Sequence, residues 1–230
     1  MILQIETATA SCSVALTDQE RILFTKEINE RNIHAEVITL FIEELIGKAG
    51  IKYNDLDAIA VSCGPGSYTG LRIGVSTAKG LCFALDKPLI AVDTLAAMAN
   101  GAMKRYTGQL QSETLLCPMI DARRMEVYTA VYRHDNSVIK PVSAEIIDEN
   151  SFAEILRDNK ALFFGDGAEK CRRVLSQSPN ALFLEGFTNS ASDLAQLAFE
   201  KFSAGIFEDV AYFEPFYLKD FIAGKKAASF

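Results

Sequence analysis

Ala58-Ile59-Ala60-Val61-Ser62-Cys63-Gly64-Pro65-Gly66-Ser67-Tyr68-Thr69-Gly70-Leu71-Arg72-Ile73-Gly74 reads as a short strand of small and apolar residues, a glycine turn and the opening of a helix. A strand-to-helix turn of this kind presents backbone N–H groups that can hold an anion. The stretch is not a P-loop, because no Gly-Lys-Ser/Thr follows, and its glycine spacing is not that of a dinucleotide fingerprint. Nor does it contain the Gly-x-Ser-x-Gly of a nucleophile elbow. Gly66, Gly70, Gly74, Ala78 and Cys82 recur every four residues and leave one helix face almost bare. Glycine inside a helix costs about 1 kcal/mol against alanine, so two there need a reason. A bare face lets something approach closely, either the chain's own sheet or a partner subunit.

Outward from this turn the pattern is regular. Toward the N-terminus, residues 34–49 carry Val37, Ile38, Phe41, Ile42, Leu45 and Ile46 on one helical stripe, with Gly50 as a stop. Three strands precede it over 2–5, 12–16 and 22–28, separated by polar turns at 7–11 and 17–20. Toward the C-terminus a helix over 69–85, a strand over 88–92 and a helix to about 106 capped by Asp93 complete the first half. The second half repeats the order. Strands over 115–120, 125–133 and 138–147 lead to a helix over 151–158 and a strand over 161–164. That strand ends in Gly165-Asp166-Gly167, and a helix over 168–176, a strand over 181–184 and a helix over 190–203 follow. Each half opens with an apolar strand ending in an acid, Glu6 and Asp121. A duplicated unit of this kind predicts two mixed α/β lobes with a cleft between them, the break falling in the polar stretch Lys104–Ser112.

Composition bounds the chemistry. The 230 residues are 49% hydrophobic and 23% charged, which excludes wholesale disorder, and the net charge of −7 argues against an autonomous nucleic-acid binder. Five scattered cysteines form no C-x-x-C pair, so neither a disulfide framework nor a zinc ribbon is expected, and reduced thiols are. Met1–Glu6 has no basic lead and too short an apolar run for a signal peptide, and no run approaches the length of a membrane span. The expectation is a soluble cytoplasmic protein, with Gly224–Phe230 a frayed tail.

Glu6, Thr7, Asp121, Arg123, Gly165 and Gly167 are the candidate nucleotide-cleft residues: acids at strand ends can hold a metal or its waters, and a turn arginine can answer a phosphate. The turn Thr7-Ala8-Thr9-Ala10 lacks the glycine that close phosphate approach needs, and ordinary turn-edge acids read as well. His34 and His134 share no metal-binding spacing, and Lys170, Arg172 and Arg173 read as a solvated face.

Ile2-Leu3-Gln4-Ile5-Glu6-Thr7-Ala8-Thr9, Gly64 to Gly74, and Asp121-Ala122-Arg123-Arg124-Met125-Glu126-Val127-Tyr128 together resemble the TsaB family of bacterial tRNA threonylcarbamoyladenosine modification, once described as glycoprotease-like. The resemblance covers most of the chain, through the ending Phe216-Tyr217-Leu218, and departs at Glu6, where the family usually has Asp. It implies duplicated actin-like ATPase lobes over 1–106 and 107–230, the last residues packing back on the first lobe. In the catalytic paralogue TsaD, the helix after the strand matching Pro88–Val92 carries an H-x-x-x-H pair. The match puts Thr94 and Met98 there, and neither is a good ligand for a hard metal.

The resemblance therefore implies a non-catalytic subunit with no metal and no cofactor of its own. It would support TsaD together with the ATPase TsaE, reach tRNA only through that complex, and form a homodimer when alone. Helices 34–49 and 69–85 would make the contact, with Gly66, Gly70, Gly74, Ala78, Cys82, Phe41 and Leu45 as the interface. The alternatives are a nucleotide-hydrolysing actin-like enzyme with ATP or ADP and magnesium in the inter-lobe cleft, and a glycoprotease-like metallopeptidase, which the absence of metal ligands disfavours.

Overall fold

A computed structural model describes residues 1–106 and 111–219; the stretch 107–110, the middle of the expected break over Lys104–Ser112, and the expected frayed tail lie outside the described residues. Two five-stranded sheets share one topology. The first has the order β3-β2-β1-β4-β5, from β1 (Ile2–Glu6), β2 (Ser11–Asp18), β3 (Arg21–Asn29), β4 (Ala58–Gly64) and β5 (Leu89–Asp93). The second has the order β10-β9-β6-β7-β8, from β6 (Leu115–Asp121), β7 (Glu126–Tyr132), β8 (Val138–Ile146), β9 (Ala161–Phe164) and β10 (Ala181–Leu184). In each, the opening strand pairs antiparallel with the next strand and parallel with a later one: Leu3 opposes Leu16 and Ile59, and Leu116 opposes Tyr132 and Leu162. The duplication read from the sequence is thus present strand by strand.

Helices α1 (His34–Ala49) and α2 (Tyr68–Leu85) cover one face of the first sheet, seating Ile38, Ile42, Leu45, Val75, Ala78 and Cys82 on Leu3, Ile5, Val14, Ile59 and Val61. α1 stops at Gly50, whose φ of 66° supplies the left-handed cap. α4 (Ala153–Asp158) and α5 (Ala168–Leu175) play the same part on the second sheet, with Leu156, Cys171 and Leu175 against Cys117, Met119 and Phe163.

The remaining two helices each pack on the sheet of the other half. α3 (Thr94–Arg105) leaves the first sheet yet packs Leu95, Met98, Ala99 and Ala102 on Leu116, Ile120 and Phe164 of the second. α6 (Ala195–Ser203) leaves the second sheet yet packs Ala198 on Ile2, Ala60, Ile90 and Val92 of the first. A helix expected over 190–203 is split: residues 191–194 form a 3-10 turn because Ser190 and Asp193 make a capping box that fixes the entry, and the α-helix starts only at Ala195. A further 3-10 turn at 53–55 carries no periodic signal in the sequence. All five cysteines are free thiols, and among the described residues no helix is long and apolar enough to cross a membrane.

Candidate functional site

The ends of β1, β4 and β5, where ligands of open α/β sheets are usually found, are occupied by the chain itself. The turn after β1 lies across the start of α2. A Cβ at Gly66 would stand 2.5 Å from the Ala8 carbonyl oxygen, one at Gly70 2.1 Å from the Thr7 oxygen, and one at Gly74 2.2 Å from Thr7 Oγ1. The Ser67 N–H donates to Ala8 O at 2.7 Å, which pins the two turns together. On the other side Gly64, with φ of 121°, would put a Cβ 2.4 Å from the Phe216 carbonyl oxygen.

These distances correct one expectation. Gly66, Gly70, Gly74, Ala78 and Cys82 do not form an open docking ridge: the three glycines accommodate Thr7 and Ala8, while Ala78 and Cys82 are buried in the first core. Leu45 is buried in the same core and Phe41 is half-buried against it, beneath the Lys26 ammonium. Spacing of four identifies a bare face; it does not say whether the covering group belongs to the same chain.

Glu6 is 1% exposed. Its Oε1 accepts from Ala8 N–H at 2.6 Å and from Ser62 Oγ at 3.0 Å. Burial pushes its carboxyl up to about 7, against the pull of those hydrogen bonds. Asp121 has quite different surroundings. Its carboxylate is exposed, accepts the Arg123 N–H at 2.9 Å and pairs with Lys170, whose ammonium also donates to the Glu126 carbonyl at 2.6 Å. The two acids share no partner among the described residues. Arg123 and Arg124 both sit at positive φ in an exposed hairpin turn. Thr7 is fully buried, with its hydroxyl oxygen unpartnered over Gly74.

Gly165 and Gly167 are close-packing positions like Gly70. A Cβ at Gly165 would lie 2.4 Å from Met119 O and 2.6 Å from Met98 Cε, and one at Gly167 2.9 Å from the Ile120 carbonyl carbon. A cavity of about 340 Å³ beside Gly165 is bordered by Arg172, but that guanidinium is already paired with Glu169 and Glu185 and lies over the Phe183 ring. Of the six nucleotide-cleft residues, Glu6, Thr7, Gly165 and Gly167 are buried or closely packed within their own chain, Asp121 is paired with Lys170, and Arg123 stays exposed. Thr94 and Met98 have structural contacts: Thr94 Oγ1 accepts the Gly64 N–H at 3.1 Å, and Met98 is buried against Gly165. No cluster of three or more His, Cys, Asp or Glu suited to a metal occurs among the described residues.

A polar junction that the sequence does not announce joins the halves around residues 187–193. Asp193 pairs with Arg105 at 2.6 Å, and Arg105 also donates to Thr188 O and covers the Phe187 ring. Ser190 Oγ donates to Glu27, Ser11 Oγ to Asn189 O, and the Ala191 N–H to Ser13 Oγ. The acids and serines involved look ordinary in sequence because their partners are more than 80 positions away.

The sign of the Glu6 shift gives a test. A carboxyl raised in the folded state contributes most below the ordinary carboxylate range, and that contribution is lost as pH rises toward about 7. The Glu6→Gln variant should therefore gain about 1–3 kcal/mol relative to the parent at about pH 8, and little at about pH 4. Paired denaturant titrations at the two pH values check it; an equal effect at both would show that Glu6 titrates alike in the folded and unfolded chains.

Two sheets of order 3-2-1-4-5 with exchanged helices between them define a duplicated α/β protein of the actin-like ATPase fold. The ADPNP-bound activator of 2-hydroxyisocaproyl-CoA dehydratase from Clostridium difficile shares that fold, with a TM-score of 0.50 at 10% identity over 90% of this chain and 98% of the activator. The family model for TsaD, the tRNA N6-adenosine threonylcarbamoyltransferase, matches residues 26–220. The tRNA threonylcarbamoyladenosine biosynthesis protein TsaB of Escherichia coli K12 is 31% identical over 98% of this chain and 97% of its own length. YeaZ from Pseudomonas aeruginosa superposes with a TM-score of 0.78 at 28% identity, covering 94% of this chain and 99% of that one. The chain belongs to the TsaB family.

Proposed function

We propose that this chain is a non-catalytic subunit in the biosynthesis of threonylcarbamoyladenosine in tRNA. In this reading it supports the paralogue TsaD by docking on it through the outer face of α1 and α2. The observation that carries the proposal is on that face. Leu40 is 60% exposed and Phe83 86% exposed, and both project from helices whose other side is fully used in the core. Gly47 and Gly80 lie within the same two helices, with nothing inside 4 Å of where a Cβ would be. Unlike Gly70 and Gly74, these glycines have no packing reason among the described residues, yet each costs the helix about 1 kcal/mol. A notch beside exposed apolar side chains suits a second helix pair at close range.

The match to the TsaD model supports the choice of partner, because a relative with the same two helices can meet this chain in a pseudo-symmetric four-helix contact. A homodimer of the isolated chain would use the same outer face. The charge of −7 supports contact with tRNA only through partners, TsaD and the ATPase TsaE. Reconstitution with tRNA, ATP, threonylcarbamoyl adenylate, TsaD and TsaE, each protein omitted in turn, tests the reading. Modification should cease without this chain, and this chain alone should modify nothing. Turnover by the chain alone, or full modification without it, overturns the proposal.

A further inference from the structure

After α6 the chain turns at Gly205, and residues 206–219 run in an irregular path without helix or strand. A stretch of that length without secondary structure is uncommon inside a compact fold and is usually functional or unanchored. This one is anchored along its whole course. The Glu208 N–H donates to Leu89 O at 2.9 Å, and Val210 and Phe213 pack on the first core. The Lys79 ammonium donates to the carbonyls of Ala211 and Phe213 at 3.2 and 2.8 Å, and the Phe216 N–H donates to Cys63 O at 2.7 Å. The Tyr217 ring stacks on Tyr68 with centroids 4.9 Å apart, and Arg72 lies 4.3 Å from the Tyr68 centroid while hydrogen bonding to Tyr217. Lys219 then forms an ion pair with Glu126, the first residue of β7 in the other sheet.

The segment thus leaves the second half, crosses the first, and returns to the second. We propose that residues 206–219 are a strap that clamps the two halves in one relative orientation, with Tyr217 fastening it to α2 and Lys219 to the β6–β7 hairpin. Glu126 suits the second fastening because its backbone carbonyl is already held by Lys170, which also pairs with Asp121, so the hairpin end is braced from both sides. Gly64 suits the first, since the Phe216 carbonyl occupies the place its side chain would take. Release of the strap uncovers the Gly64–Ser67 turn and frees the hairpin end together. The device is independent of which partner the outer face of α1 and α2 binds.

Hydrogen exchange read by mass spectrometry on the full chain tests this. Lys219→Glu and Tyr217→Ala should each speed exchange about tenfold in 206–219 and also in 62–67 and 122–127, because local opening propagates only through coupled segments. Lys219 is partly exposed, so its variant reads the clamp without risk to the core. The double variant Glu126→Lys with Lys219→Glu should restore protection of 122–127 toward the parent. Faster exchange confined to 206–219, or a double variant no better protected than the singles, overturns the proposal.

Discussion

The Gly70→Leu chain is expected to unfold at least about 10 °C below the parent or to fail to accumulate as soluble protein. A Cβ at this buried position stands 2.1 Å from the Thr7 carbonyl oxygen, a backbone atom. That oxygen cannot move aside alone. Its turn is fixed by the Ala8 N–H on Glu6 and by the Ser67 N–H on Ala8 O, so making room means breaking both and exposing the Glu6 carboxyl. Overpacking against a flexible side chain costs about 1–3 kcal/mol, and against pinned backbone more. Gly74→Ala is the graded comparison: its Cβ meets the Thr7 hydroxyl, an otherwise unpartnered group that can rotate, so a smaller loss is expected. Differential scanning calorimetry of both variants checks the ranking. A Gly70→Leu chain with parental stability would mean that the turn does not seat on α2, and the docking ridge read from the sequence would regain its place.

Much of this molecule was legible in the sequence because its elements are locally consistent. The helix predicted over 34–49 has those bounds in the structure, since its apolar stripe and its Gly50 stop agree. Asp93 caps α3 through the Ala96 N–H, and the strands over 161–164 and 181–184 are where the short apolar runs place them. What stayed hidden is long-range. The exchange of α3 and α6 between sheets depends on which surface each apolar face meets, and Leu95 or Ala198 would look the same either way. That the last residues pack back on the first lobe was implied by the resemblance, but the strap's anchors are not legible, because they are mostly backbone carbonyls reached by Lys79 and Phe216, atoms that every residue possesses. The site residues were misread for a related reason. Gly70 and Gly74 share one face of α2 and, with Gly66 in the turn before it, drew attention as a set, whereas Gly80 falls outside that stripe, where the structure leaves open space.

That contrast supplies the sharpest test of the docking face. Gly80→Leu should leave the isolated chain as stable as the parent or better, gaining about 1 kcal/mol of helix propensity and about 2–4 °C in thermal midpoint. Nothing among the described residues lies within 4 Å of the new Cβ, so no strain offsets the gain. The same leucine adds a bulky side chain to the open side of α2, on the helix that carries the exposed Phe83, where a second helix pair would have to seat. Association with TsaD, read by titration calorimetry, should weaken by about 100-fold or more, the scale on which a central contact fails. Phe83→Asp should do likewise by placing a charge in an apolar contact, again with the fold intact because the ring is 86% exposed. A variant that gains stability and loses association separates docking from folding, which no substitution at Gly70 can do. If both variants bind TsaD as the parent does, the outer face of α1 and α2 is not the contact, and the two open glycines have no role in it.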